Sequence, residues 1–158
     1  MAKVMFDTNV WLDYHCARDG EDKTAHTLLD TLLSRSHQLY VTPMILKDVY
    51  YLIGSILKQE FRVSEQSVST GTAGAINEIA WGCVRQMLAV AEVAGVGPQN
   101  CVQAVSLRTV HEDFEDNLIL ACAQASSIDY FITSDKRLLK HAAITCISPK
   151  EMLSIMKP

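Results

Sequence analysis

Four aspartates lie at places in the sequence where catalytic carboxylates could be held near one another. Two of them, Asp7 and Asp135, follow short apolar runs of strand type. Asp116 lies at the start of a predicted helix, and Asp48 lies in or beside the apolar stripe of another. Because the carboxyl ends of parallel strands meet at the edge of a sheet where sites are built, we expect these side chains to converge there.

The chemistry that such a group supports is metal binding. Carboxylates that converge repel one another unless they are protonated or neutralised by cations. Hard oxygen ligands, with no soft ligands among them, favour Mg²⁺ or Mn²⁺. Ions of this kind activate water and stabilise the charge of a phosphodiester transition state. The pattern therefore indicates a metal-assisted hydrolase.

Each acid taken alone has a structural explanation, since Asp favours caps and turns. Asp7 could cap the helix that follows it, Asp116 could complement a helix dipole, and Asp135 could begin a turn. Asp113 is a fifth candidate, three residues before Asp116 and therefore on the same side of the helix. The hypothesis of a site depends on the four positions together.

Asp48 is the acid that a surface role explains least well. It follows Ile45 by three residues and precedes Leu52 by four, so it lies in or beside the apolar stripe of the predicted helix. A charge there is costly unless something pairs with it.

Other enzyme classes find less support. The sequence has no HExxH, GxSxG, Walker A or GxGxxG motif, and its five histidines are expected to lie mostly at the surface. Lys136, Arg137 and Lys140 follow Asp135 and could hold a phosphate, although a solvated helix face is the better explanation for any one of them.

Composition is typical of one compact domain over residues 1–158, with a mass of 17.5 kDa and 49% apolar residues. No apolar run is long enough to span a bilayer, and five scattered cysteines favour a reducing compartment, so we expect a cytoplasmic protein. The net charge of −4 argues against a broad basic surface for nucleic acid. It leaves room for an acidic site with a local basic rim, or for a basic partner.

Strands and helices alternate along the chain, which predicts an α/β fold with a parallel sheet covered on both faces. Strands are predicted at residues 3–6, 38–41, 129–134 and 144–147, and residues 91–97 are ambiguous. Helices are predicted at residues 24–35, 75–90 and 98–108, and others begin at Thr42-Pro43, around Asp113 and at Ser148-Pro149. Residues 61–74 are predicted to be a flexible connection.

The stretches FDTNVWLD, TPMILKDVYYLI, DFEDNLILACA, FITSDKRLL and ISPKEML, in this order, resemble a PIN domain. Within that family the chain is most similar to the VapC-type toxin ribonucleases of toxin–antitoxin pairs. The likeness covers nearly the whole chain, although residues 61–110 match only in outline. It implies a three-layer sandwich, with a parallel sheet of about five strands between helices.

The resemblance also implies a metal-dependent endoribonuclease, often a homodimer, that a small antitoxin inhibits. By position, the family's first, third and fourth acids are Asp7, Asp116 and Asp135. Asp48 stands where the family usually has Glu, and its carboxylate is shorter by one methylene. The remaining positions that match the family's motifs, as auxiliary residues, are Thr8, Asn9, Asp113 and Thr133.

We therefore interpret the chain as a ribonuclease in which Asp7, Asp116 and Asp135, with Asp48 directly or through water, hold Mg²⁺ or Mn²⁺. One alternative is an aspartyl-phosphate phosphatase of haloacid-dehalogenase type, but that pattern needs an acid where Asn9 stands. The other is a PIN-like module with a weakened metal site that binds RNA or protein without cleaving.

Overall fold

Five short strands form one parallel sheet in the computed structural model, which describes residues 1–16, 22–64, 69–109, 111–141 and 144–156. The strands are β1 (Lys3–Phe6), β2 (Gln38–Val41), β3 (Glu92–Val93), β4 (Tyr130–Ile132) and β5 (Cys146–Ile147). Their order across the sheet is β3-β2-β1-β4-β5, so β1 lies at the centre. Val4 pairs with Leu39 on one side and with Tyr130 on the other.

Eight α-helices connect these strands within the described residues. They are α1 (Thr8–Cys16), α2 (Asp22–Ser34), α3 (Pro43–Val63), α4 (Thr70–Val90), α5 (Pro98–Ser106), α6 (Phe114–Ala125), α7 (Leu138–His141) and α8 (Pro149–Ile155). A 3-10 turn, Leu107–Thr109, follows α5. No helix in these ranges is long and apolar enough to cross a membrane.

Helices cover both faces of the sheet, as the alternation of elements predicts. The evidence is clearest in β1, where Val4, Met5 and Phe6 are all fully buried. Successive strand residues point to opposite faces, so a strand buried at three successive positions must be covered on both. Trp11 of α1 is also fully buried, with its ring 5.3 Å from that of Phe6. The predicted α/β fold with a parallel sheet is confirmed.

Two predicted helix starts are confirmed in atomic detail. Thr42 caps α3 by accepting a hydrogen bond from the Ile45 N–H at 3.2 Å, with Pro43 at the first helical position. Ser148 and Glu151 form a reciprocal capping box at the start of α8. These caps depend only on neighbouring residues, which is why the sequence predicts them well.

The prediction that residues 61–74 form a flexible connection is wrong at both ends of this stretch. Helix α3 continues to Val63, and α4 begins at Thr70 with Ser69 as its cap; residues 65–68 lie outside the described ranges. Polar composition predicts a loop here, but α3 and α4 pack against each other, for example through a hydrogen bond from Tyr50 to Asn77 and a ring contact between Tyr50 and Trp81. Tertiary packing of this kind contributes more to the stability of a helix than the propensities of its residues do.

Candidate active site

A cleft of about 310 Å³ opens at the carboxyl edge of the sheet. It lies beside β1, where the strand order changes direction: β2 and β3 are added on one side of β1, and β4 and β5 on the other. Crevices at such points are the usual ligand sites of open α/β sheets. The residues that line it are Asp7, Thr8, Asn9, Leu12, Asp48, Leu52, Asp113, Glu115, Asp116, Ile119 and Asp135.

Asp7 lies at the floor of this cleft, directly after β1, and is 7% exposed. Its Oδ1 accepts a hydrogen bond at 2.7 Å from the N–H of Thr8, the first residue of α1. Its Oδ2 accepts from Asn9 Nδ2 and from Thr133 Oγ1, both at 2.6 Å. Burial raises the pKa of Asp7, and the charge of Asp135 adds to the effect, while these three hydrogen bonds act in the opposite direction. None of the three donors is a cation.

Thr133 lies behind the cleft and joins two of the predicted acids. Its hydroxyl donates to Asp7 and accepts from the Asp135 N–H at 3.0 Å and from Asn9 Nδ2 at 3.3 Å. A hydroxyl has one donor and two acceptor sites, so the capacity of this fully buried group is used completely. Thr133 therefore fixes the ends of β1 and β4 relative to each other.

Asp116 lies in the first turn of α6, which Asp113 caps by accepting from the N–H groups of Glu115 and Asp116. Burial raises the pKa of Asp116 to about 6, and the negative charge of Asp7 contributes next. His111 acts against this rise, since its Nδ1 lies 3.2 Å from Asp116 Oδ2. An acid with such a perturbed pKa in a cleft is a candidate for function.

Asp48 has a partner that the sequence analysis did not anticipate. Lys47 Nζ lies 3.0 Å from Asp48 Oδ1 and 2.7 Å from Glu115 Oε1, so it bridges α3 and α6 at the cleft. Burial is the largest influence on the pKa of Asp48 and raises it, Lys47 lowers it, and the charge of Glu115 raises it. The cost of placing Asp48 on this face is thus offset within the protein.

Asp135 follows β4 and begins a turn, which is the structural role that the sequence allows for it. Its Oδ1 accepts hydrogen bonds from the N–H groups of Arg137 at 2.6 Å and Leu138 at 3.3 Å. Lys136 and Arg137 are exposed in that turn. They lie beside the cleft in sequence but are not among the described residues that line it.

The structure thus brings all five predicted acids to one cleft, with Thr8 and Asn9 at its wall. Sequence reasoning missed Lys47, Glu115 and His111 as neighbours of these acids. The expectation that the histidines lie mostly at the surface is wrong for His111, which is 8% exposed. The adjacency of Lys47 to Asp48 was visible in the sequence, but nothing local places either beside Glu115.

The donor set fits a hard divalent cation, because the cleft offers carboxylates and neutral oxygens and no sulfur. Among the described residues, however, no three acidic, histidine or cysteine side chains already stand close enough together to hold an ion. Each acid is drawn instead to its own partner, Lys47, His111 or a backbone N–H. Metal binding therefore requires the carboxylates to come closer to a common point than they are in this structure.

Comparison with known proteins gives a family model, described as PIN domain, that matches residues 3–137. No curated relative matches the sequence significantly. Among solved structures, VapBC2 from Rickettsia felis, bound to a DNA fragment from its promoter, is similar with a TM-score of 0.65 and 14% identity, over 92% of this chain and 98% of that one.

Two further structures share the fold. A toxin–antitoxin complex from Klebsiella pneumoniae has a TM-score of 0.62 and 18% identity, over 92% of this chain and 97% of that one. The Mycobacterium tuberculosis toxin VapC20, described as cleaving the sarcin–ricin loop, has a TM-score of 0.57 and 16% identity, over 81% of this chain and 86% of that one.

Proposed function

Because the chain belongs to the PIN domain family, we propose that it is a divalent-metal-dependent endoribonuclease. The observation that carries the proposal is the convergence of Asp7, Asp116 and Asp135 in one cleft. Burial raises the pKa values of Asp7 and Asp116, and repulsion from neighbouring carboxylates adds to the rise. Carboxylates arranged in this way attract a divalent cation, which relieves the repulsion between them.

The proposed roles follow from the contacts of each side chain. Asp7, Asp116 and Asp135 would hold Mg²⁺ or Mn²⁺, and Asp48 would do so directly or through water. When bound, such an ion lowers the pKa of water and stabilises charge on a phosphodiester undergoing hydrolysis. Asn9 and Thr133 orient the Asp7 carboxylate through their hydrogen bonds.

Lys136 and Arg137 are proposed to contact RNA phosphates at the rim. Both are exposed and follow Asp135, which is one of the six acids that line the cleft. A phosphate that approaches so acidic a cleft gains from cations at its rim. Cationic side chains in such positions supply affinity without sequence information.

The direct test is cleavage of a labelled RNA by purified protein with Mg²⁺, with Mn²⁺ and with a chelator. We expect cleavage by the wild type with metal only, and none by Asp7→Asn or Asp116→Asn. Asn keeps the size of Asp and removes its charge. Glu60→Gln is the matched control, since Glu60 is an exposed acid of α3 outside the cleft. Full cleavage by either aspartate variant would refute the assignment.

The likeness to a toxin–antitoxin complex supports a partner as well. We propose that the chain folds as one domain over residues 1–158, forms a homodimer and acts as the toxin of a pair, inhibited by a small antitoxin. Expression alone should then arrest growth, and co-expression of a small protein encoded beside it should restore growth. Light scattering of the purified chain tests the dimer.

A second candidate is a binding module that does not cleave. The observation that supports it is the contact between Lys47 and Asp48, because the ammonium group of Lys47 already neutralises one of the four candidate acids. RNA binding that survives chelation, with no cleavage under any divalent ion, would favour this candidate over the nuclease.

A further inference from the structure

His111 is a buried histidine that contacts the acid at the start of α6. Its side chain is 7% exposed, and its Nδ1 lies 3.2 Å from Asp116 Oδ2. Its backbone is held on both sides: its N–H donates to the Leu107 carbonyl at 3.2 Å, and its own carbonyl accepts from Asn117 Nδ2 at 2.7 Å. Asn117 is itself 1% exposed. These bonds fix the backbone of His111 beside the first turns of α6, within reach of Asp116.

The ring nitrogen that faces Asp116 can make only one hydrogen bond in the ring plane. Nδ1 also lies 3.2 Å from the Asp113 N–H, so it either accepts from Asp113 or donates to Asp116. An ionised carboxylate can only accept, so an ionised Asp116 requires a proton on Nδ1.

The other ring nitrogen favours the same arrangement. Nε2 is buried and has no hydrogen-bond partner among the described residues. A proton on Nε2 would leave a buried N–H without an acceptor, which is costly. A neutral imidazole with its proton on Nδ1 avoids this and donates to Asp116. The Asp113 N–H then loses Nδ1 as its acceptor, but Asp113 is an exposed residue, so water can accept from it instead.

We propose that His111 is a positioning residue for Asp116: its Nδ1–H holds Oδ2 and leaves the other carboxylate oxygen to face the cleft. The inference depends on the proposed metal-dependent function, because Asp116 is one of the acids assigned to the ion. Groups that orient a ligand in this way commonly strengthen metal binding.

His111 acts through Asp116 rather than as a ligand itself. Asp113 and Asp116 line the cleft, whereas His111 is not among the described residues that do so. Removing its donor should therefore weaken metal binding without removing a metal contact.

Two substitutions separate positioning from packing. Asn places its side-chain nitrogen near the position of Nδ1, whereas Gln places it near Nε2. Mn²⁺ affinity is measured by calorimetry on the full chain, with RNA cleavage as a second readout. We expect His111→Asn to bind Mn²⁺ nearly as the wild type does, and His111→Gln to bind about 10–100-fold more weakly. His26→Gln, at an exposed histidine of α2, is the control and should change nothing.

Equal Mn²⁺ affinities for the Asn and Gln variants, whether both match the wild type or both are weakened, would overturn the positioning role. A merely structural histidine would lower the thermal stability of both variants without separating their affinities. If the wild type binds no divalent ion and cleaves no RNA, the proposed function fails, and this inference fails with it. If the wild type binds and cleaves while the two variants are alike, only the role of His111 is lost.

Discussion

Replacing Asp116 by Asn should stabilise the metal-free protein at neutral pH. Asp116 ionises with a pKa of about 6 in the folded chain, against an ordinary value of 3.8. The folded state therefore holds this proton more tightly than the unfolded chain does. The free energy of unfolding of the wild type should fall as pH rises from about 3.8 to 6, and the loss should be complete above that range.

The size of the effect follows from the same two values. The difference corresponds to about 3 kcal/mol at about 1.36 kcal/mol per pH unit. The side chain is 31% exposed, so water screens part of the repulsion, and we expect about 1–2 kcal/mol. For a chain of this size, that raises the melting temperature by about 2–8 °C.

The assay is urea unfolding of the wild type and Asp116→Asn in the presence of a chelator, at pH 4.5 and pH 7.5. Asn retains a polar group facing His111, so the contact there is not simply deleted. Glu60→Gln is the control and should differ from the wild type by less than about 0.5 kcal/mol. A variant no more stable than the wild type at pH 7.5, or an equal difference at both pH values, would refute the reasoning.

Four further outcomes are expected. Mn²⁺ at a hundredfold excess over its dissociation constant should stabilise the wild type by about 2.7 kcal/mol, and it should stabilise Asp7→Asn much less. If no divalent ion shifts the thermal unfolding of the wild type, that result counts against the metal site. Asp48→Ala should lose most RNA cleavage and Asp48→Glu should keep it across a Mn²⁺ titration; if Asp48→Ala matches the wild type, Asp48 is structural. Lys47→Met removes the cation beside Asp48, and calorimetry should show Mn²⁺ binding roughly two- to fivefold tighter, in keeping with the small energies of exposed ion pairs. Thr133→Val removes the hydroxyl that donates to Asp7 and accepts from the Asp135 N–H. The free energy of unfolding, measured in urea, should therefore fall by about 1–3 kcal/mol.

Patterns of residue types predict the class of the fold and the places of the acids within it. Strand runs such as Lys3–Phe6, the cap at Thr42 and the capping box at Ser148 are signals between residues a few positions apart. The alternation of strands and helices along the chain predicts a parallel sheet. Since ligand sites lie at the carboxyl ends of such strands, Asp7 and Asp135 can be predicted to lie close together before any contact is known.

The partner of each acid, in contrast, is visible only in the folded chain. Thr133 bonds to Asp7 across 126 positions of the chain, and Lys47 bonds to Glu115 across 68. Likewise, α3 and α4 extend into a stretch whose composition predicts a loop. The physical reason is that pKa, burial and ion pairing depend on distances in space, which no local pattern of residue types contains. His111 looks like an ordinary polar residue in the sequence, and it becomes a neighbour of Asp116 because its backbone bonds to Leu107 on one side and to Asn117 of α6 on the other.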